Sequence, residues 1–195
     1  MTVNYNGGGS YLREIPILSA TGAAPLAADT DHFFVAVEPI AGTWVAVSIA
    51  NQADVARNIT FGIVDANSSI TAATLEVTGT DSQGRALQET ISTSTAGTQT
   101  VVGERCFATV TSARYIVSGV VTGGADTVQG GYGDILGLPL AIADISDVKN
   151  RRQDANSAVG TLSIPTGDHG TWELSGGNVP NAARLYYVTI QSTAD

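Results

Sequence analysis

Strict alternation of apolar and polar residues is clearest around Thr74–Ser92, TLEVTGTDSQGRALQETIS. Leu75 and Val77 alternate with Glu76 and Thr78, the period of a half-buried strand. Asp81-Ser82-Gln83-Gly84 suits a type I turn closed by a glycine in the left-handed region, so the segment predicts a β-hairpin. The return strand is less regular, because Leu87 and Ile91 share a face with Glu89. Either Glu89 lies at the sheet rim with an arginine partner, or a bulge shifts the alternation.

The same texture recurs along most of the chain. FFVAVEPIAGTWVAVSIAN predicts strands over Phe33–Glu38 and Thr43–Ile49 around a Pro39–Gly42 turn. In the second, Val45, Val47 and Ile49 form the core face, opposite Trp44, Ala46 and Ser48. Ile59, Phe61 and Ile63 share a face of a third strand. Further strands are expected at Gln99–Val102, Cys106–Thr111, Arg114–Ser118 and Asp126–Gln129. The glycines of GGYGDILG resemble a boundary, LGLPLAI reads as extended, and Ser146–Ala158 as a helical turn or a loop. GTLSIP, GTWEL and ARLYYVTIQ are β-like again, and the last suits a strand that closes a sheet.

Strands at short spacing, with no βαβ alternation, predict an all-β, antiparallel β-sandwich, jelly-roll-like or Ig-like, with little helix. Three regions follow. Residues 1–30 form an extended N-terminal arm, flexible through its Gly-Gly-Gly-Ser, with Leu12–Leu18 as an edge strand or a strap because Pro16 cannot donate to a ladder. Residues 31–142 form the main sandwich. Residues 143–195 supply a loop and C-terminal strands that complete the sheet or form a small β subdomain.

Composition narrows the function classes. Of 195 residues, 43% are hydrophobic and 14% charged, which argues against global disorder. The net charge of −9 comes with one lysine, Lys149, and eight scattered arginines. Only Lys149, Arg151 and Arg152 cluster, so a nucleic-acid surface is disfavoured. An acidic surface suits solubility and a basic partner. The single cysteine, Cys106, reads as a small buried hydrophobe. The N-terminus lacks a signal-peptide pattern, and no apolar run approaches the roughly 20 residues of a membrane span, so synthesis in a cytoplasm and no membrane partner are expected.

No catalytic set stands out. Asp29, Asp31 and His32 in ADTDHFF are the candidates for a metal site, and His169 lies beside Asp168, but adjacent ligands in a loop are a weak pattern and two solvated turns explain them. No G-x-S-x-G elbow is present. Nothing marks Glu38, Glu76, Glu89, Glu104 or Glu173 as half of a catalytic pair. QGGYGDILG fits neither nucleotide fingerprint. Trp44, Trp172, Tyr186 and Tyr187 are the candidates for a sugar platform, although aromatics in β proteins more often serve core or interface. No catalytic, cofactor-binding or metal-binding residue is therefore assigned, no cofactor is expected, and the chain reads as a non-enzyme.

A resemblance goes further. In order, the chain carries VTGTDSQGR, the return strand QET, FATVTS, and GYGDILGLP, all within about residues 59–142. This series resembles the β-sandwich structural proteins of tailed-bacteriophage virions, some of which are capsid decoration (cement) proteins. GTWELSGGNVPNAARLYYVTI loosely resembles their closing segment. The resemblance implies a decoration protein on the capsid surface of the virion, made in the host cytoplasm. Its partners are then the major capsid protein and itself, as a dimer or trimer, with no catalytic residues. Other virion roles (head fibre, neck, tail tube or baseplate) and a receptor- or glycan-binding module are the alternatives.

Overall fold

The structure, a computed structural model, describes residues 4–6, 10–19, 21–154, 156–157, 160–166, 169–174 and 179–193. Its strands, numbered along the chain, are β1 (Asn4–Asn6), β2 (Ser10–Ile17), β3 (Asp29–Val37), β4 (Val45–Val47), β5 (Arg57–Val64), β6 (Ile70–Thr80), β7 (Ala86–Thr93) and β8 (Gln99–Phe107). They continue as β9 (Thr109–Gly119), β10 (Thr127–Gly137), β11 (Val148–Gln153), β12 (Asn156–Ser157), β13 (Gly160–Thr166), β14 (His169–Leu174) and β15 (Tyr186–Thr193). The helical content among the described residues is one 3-10 turn, Ile145–Asp147, capped by Asp144. The chain is an all-β sandwich with antiparallel strand pairing throughout its named ladders.

Three sheets make two cores. A front sheet, β4-β9-β6-β7, faces a shared sheet, β13-β14-β10-β5-β8, to which β3 is added alongside β10. Between them Phe33, Phe34, Phe61, Leu75, Val77, Phe107, Tyr115 and Val128 are buried together. Here the alternation of the sequence is realised: Val45, Val47 and Ile49 pack on this core, and Leu75 and Val77 are buried. A terminal sheet, β1-β2-β15-β11-β12, packs over the other end of the shared sheet. Ile17, Tyr186, Val188 and Ile190 of that sheet meet Leu136, Trp172 and Leu174 of the shared one.

The strand common to both cores is β10. It pairs with β5 along one side; its other side takes β3 from Val128 to Tyr132 and then β14 from Ile135 to Gly137. The glycine-rich stretch that resembles a boundary in the sequence is thus the middle of a central strand. Its glycines are required by close approach. A Cβ at Gly131 would lie 1.9 Å from the Asp29 carbonyl oxygen, and one at Gly130 would lie 2.1 Å from the Phe34 ring.

Other expectations also change. The strand expected over Cys106–Thr111 straddles a corner: the chain leaves the shared sheet at Phe107, turns at Ala108, whose N–H bonds the Thr80 carbonyl at 2.8 Å, and enters the front sheet at Thr109. The polar stretch from Ser146 contains β11, VKNRRQ, which pairs with β15. Polar residues suit it because its outward side chains, such as Asn150, are exposed. The strand expected over Leu12–Leu18 within the arm is present as β2, but it is built into a sheet, paired over eight positions with β15 and flanked by β1 at Ser10–Leu12. The final strand β15 lies between β2 and β11 in the middle of its sheet.

Candidate functional site

Two adjacent residues of β5, Arg57 and Asn58, organise the joint between the cores. On one side Asn58 pairs with Cys106 and Thr60 with Val102, so residues 103–105 of β8 stand opposite Ile59 alone. On the other side Ile59 pairs with Tyr132 and Arg57 with Leu136, so residues 133–135 of β10 stand opposite Asn58 alone. Both neighbours of β5 therefore bulge at the same level, which frees backbone groups from the ladders. Asn58 satisfies one on each side: its Nδ2 donates to the Gly103 carbonyl at 3.2 Å, and its Oδ1 accepts from the Ile135 N–H at 3.0 Å. Gly133 leaves the space, since a Cβ there would lie 2.8 Å from Asn58 Oδ1.

Arg57 is fully buried. Its Nη1 donates to the Gly133 carbonyl at 3.0 Å and its Nη2 to the Leu26 carbonyl. The guanidinium lies 4.9 Å from the Tyr132 ring centroid and 3.6 Å from Asp54, whose other oxygen accepts from the Leu26 N–H at 2.7 Å. A buried charge is tolerated when it is paired and hydrogen-bonded. Here it ties the linker between β2 and β3 to the bulge of β10.

The hairpin turn is a second joint. Asp81 is buried, and its Oδ1 accepts from the N–H groups of Gln83 at 2.9 Å and Arg85 at 2.8 Å. Its Oδ2 meets the Arg85 guanidinium at 2.6 Å. Burial alone would raise its pKa, but these donors outweigh it and hold the carboxyl below its ordinary value. Gly84 takes φ +76°, as the turn requires. Ser82 Oγ then donates to the Leu138 carbonyl at 2.7 Å, docking the tip on the second core. The turn is a clasp built on a buried carboxylate, with Ser82, Gln83 and Gly84 exposed at its tip. Asp65 plays a similar part in the β5–β6 turn, accepting from the N–H groups of Ser69, Ile70 and Gly97, each at 3.0 Å.

The chemical candidates of the sequence are mostly absorbed into structure. His32 lies on β3, not in a turn. Its Nδ1 is 3.1 Å from Asp29 Oδ2, and its Nε2 is 2.9 Å from the Gln52 carbonyl. Burial opposes the charge of Asp29, but hydrogen bonding from Asp31 and His32 outweighs it and lowers its pKa. Among the described residues no group of three or more His, Cys, Asp or Glu is placed to hold a metal ion. Asp168 and the side chain of His169 lie outside the described residues. Burial pushes the Cys106 thiol pKa upward.

The four aromatics do not form one platform. Trp172 and Tyr186 are buried against each other at 5.9 Å in the second core. Arg114 stacks on one face of the exposed Trp44 at 4.6 Å, and Arg152 on Tyr187 at 3.8 Å. The basic cluster is also engaged: Lys149 bonds the Ser146 carbonyl, Arg151 the Gly160 carbonyl and Arg152 the Glu14 carboxylate.

One surface feature remains open. β7 ends the front sheet and β8 ends the shared sheet, and these two edges border a cleft of about 630 Å³, lined by residues 88–92 and 101–105 with Pro165. Glu89 stands inside it. The β6–β7 ladder runs without a shift from Ala73 to Thr80, so Glu89 faces inward between Leu87 and Ile91, and the irregularity lies on the facing strand β8. Glu89 Oε1 accepts the N–H groups that the β8 bulge frees, Glu104 at 2.7 Å and Arg105 at 3.2 Å. Its Oε2 has no hydrogen-bond partner among the described residues. Burial raises the Glu89 pKa and outweighs the two amides and nearby Arg105. No sequence motif marks this site; only the break in alternation at Glu89 points to it.

No protein-family model matches the chain, and neither a curated protein nor a solved structure is significantly similar to it. Among the described residues no helix is long and apolar enough to cross a membrane.

Proposed function

We propose that this protein is a structural component of a tailed-bacteriophage virion that binds and stabilises the outside of the capsid as a decoration protein. The observation that carries the reading is the ordered series VTGTDSQGR, QET, FATVTS and GYGDILGLP, which resembles such proteins. In this fold each segment has an architectural task. The first is the Asp81 clasp, the second holds Glu89, the third is the corner between sheets, and the last is the bulged strand common to both cores. The buried polar residues Arg57, Asn58, Asp65 and Asp81 bond backbone groups and so fix the shape of the sheets, which suits a structural role. The acidic surface favours a partner with basic exposed segments, and repetition over a symmetric shell turns modest contacts into stable attachment.

The test is addition of the purified protein to undecorated shells of the same virus, with shells of an unrelated virus as control. Co-sedimentation with the cognate shells and regularly spaced density on their outer surface are expected. Absence of binding overturns the proposal, and rings or tubes formed by the protein alone would replace it with a tail-tube role.

A further inference from the structure

β1 and β2 are joined to the rest of the fold by one ladder and one connection. The ladder pairs β2 with β15 at eight positions, from Ile17–Tyr186 to Ser10–Thr193, and β1 borders β2 on its other side. Ile17 enters the second core, and the Glu14 carboxylate receives Arg152 Nε from β11. These contacts all lie in the terminal sheet and the core beneath it.

The connection, between Ile17 and Asp29, is held unevenly. Its downstream part is pinned at two consecutive residues. The buried Pro25 accepts from the Ala182 N–H at 2.8 Å, and Leu26 gives its N–H to Asp54 and its carbonyl to Arg57. Its upstream part is a turn bonded within itself. The Ser19 N–H donates to the Ala23 carbonyl at 3.0 Å, and the Gly22 N–H to the Ser19 carbonyl at 2.8 Å. Thr21, Gly22 and Ala23 are exposed, and clefts of about 340 and 370 Å³ lie beside the turn and beside Pro16 and Leu18. The turn depends on Gly22 at φ +79°, a conformation that side chains disfavour.

Opening this turn releases β1 and β2 while the pin at Pro25 and Leu26 stays in place. The first core does not include them. The edge of β15 is then bare along eight positions, and a bare edge takes up an extended chain. The structure itself shows the segment that fits that edge in shape and register, residues 10–17 of the same sequence. Supplied by a second copy, it makes the same ladder, the same Glu14–Arg152 pair and the same burial of Ile17. The closed and exchanged arrangements then differ in the turn and in protein concentration. The charges of residues 1–17 are Arg13 and Glu14, which cancel, so the segment itself brings no excess negative charge to a chain of net charge −9.

We propose that two copies of this chain exchange β1 and β2, each adding them to β15 of the other about the pivot at Pro25 and Leu26. Residues 18–24, once extended, span about 23 Å, enough to cross to an adjoining terminal sheet. The exchange is independent of the capsid-binding reading, and its test uses the protein alone.

Two full-length variants, Leu12→Cys and Gln191→Cys, carry partly exposed side chains that pair across the ladder. With one of them isotope-labelled, the two are unfolded together in urea, refolded at high concentration and oxidised. Exchange is expected to give a disulfide-linked dimer containing one chain of each mass. A Thr43→Cys chain, substituted at an exposed position before β4, is expected to give about tenfold less of it with Leu12→Cys. Gly22→Val provides a second readout. A Cβ at Gly22 meets nothing within 4 Å, so the substitution strains the closed turn through its φ alone and leaves an extended chain unstrained. It is expected to raise the association constant, measured by light scattering, about tenfold for each exchanged arm. Three results each overturn the proposal: a Leu12→Cys and Gln191→Cys mixture that stays monomeric, equal crosslinking by Thr43→Cys, or a Gly22→Val protein that associates no more than wild type.

Discussion

Burying a guanidinium at Arg57 is costly unless every nearby group depends on it, and here three do: the carbonyls of Gly133 and Leu26, and the Asp54 carboxylate. Arg57→Met preserves much of the volume but leaves the two carbonyls without their donor and the Asp54 carboxylate without its charge partner. Breaking a buried polar network from one side costs about 3 kcal/mol. Urea unfolding of Arg57→Met should show a loss of that order, and a change below about 1 kcal/mol would show that the network relaxes around the substitution. Glu89 gives a prediction with a distinctive pH dependence. Its folded pKa is raised, so between the unfolded and folded values the native state holds more protons than the unfolded chain, and stability falls as pH rises through that range. Glu89→Gln removes the burial penalty while keeping an acceptor for the two amides. The variant should therefore be more stable than wild type at pH 7, with the difference shrinking as pH falls through the folded value toward about 4.3, the unfolded one. Asp65 and Asp81 act in the opposite sense. Their folded values are lowered, so their contribution is present above an unfolded value of about 3.9 and is lost as pH falls below it. Unfolding curves at pH 7 and pH 4.5 separate the two effects, and a Glu89→Gln difference that does not change with pH would rule out the linkage.

At the scale of strands, the close contact between β3 and β10 depends on Gly130 and Gly131. Gly131→Ala places a methyl group against the Asp29 backbone, which has no rotamer by which to yield. Overpacking of this kind costs about 3 kcal/mol at the upper end. The loss should appear as faster hydrogen exchange across residues 29–37, with exchange in β6 and β9 little changed; uniform loss of protection would mean that β3 does not open separately. These glycines also show where sequence reading reached its limit. Alternation identified β6 and the core faces of β4 and β5 because burial of one face imprints a period of two on the residues. A bulge inserts residues without changing their type, so it breaks the period and leaves the appearance of a strand end. That is why Gly103–Arg105 separated β8 into two expected pieces, and why Gly130 looked like a boundary inside β10. For β11, the polar sequence concealed a strand whose order comes from pairing with β15, 33 to 42 residues away. Of the candidate site, only the anomaly at Glu89 was legible. The edges of β7 and β8 meet through tertiary packing, which no local pattern encodes.

The molecule as a whole is two cores that share β10, and β2 and β15 pair in the sheet that covers the second of them. β2 contributes Ile17 to that core and borders β15 along eight residue pairs, so it covers one flank of Tyr186, Val188 and Ile190. The first core draws its buried residues from β3 and β5 through β10 and does not include β2. Removal of residues 1–18 should therefore loosen the second core and leave the first largely folded. The two tryptophans report on this separately: Trp172 is fully buried in the second core, whereas Trp44 is exposed on the front sheet. In a Trp44→Phe background, the emission of Trp172 should shift to longer wavelength on truncation, while near-native amide protection persists in β6 and β9. The clasp from Ser82 to Leu138 and the Arg57 contact to Leu26 set the counterforce, because both couple the cores through backbone carbonyls. If they couple them strongly, truncation would lower the stability of both cores together, with Trp172 emission and β6 protection lost in one transition. That outcome would make the joint at β10, and not each core, the cooperative unit of folding.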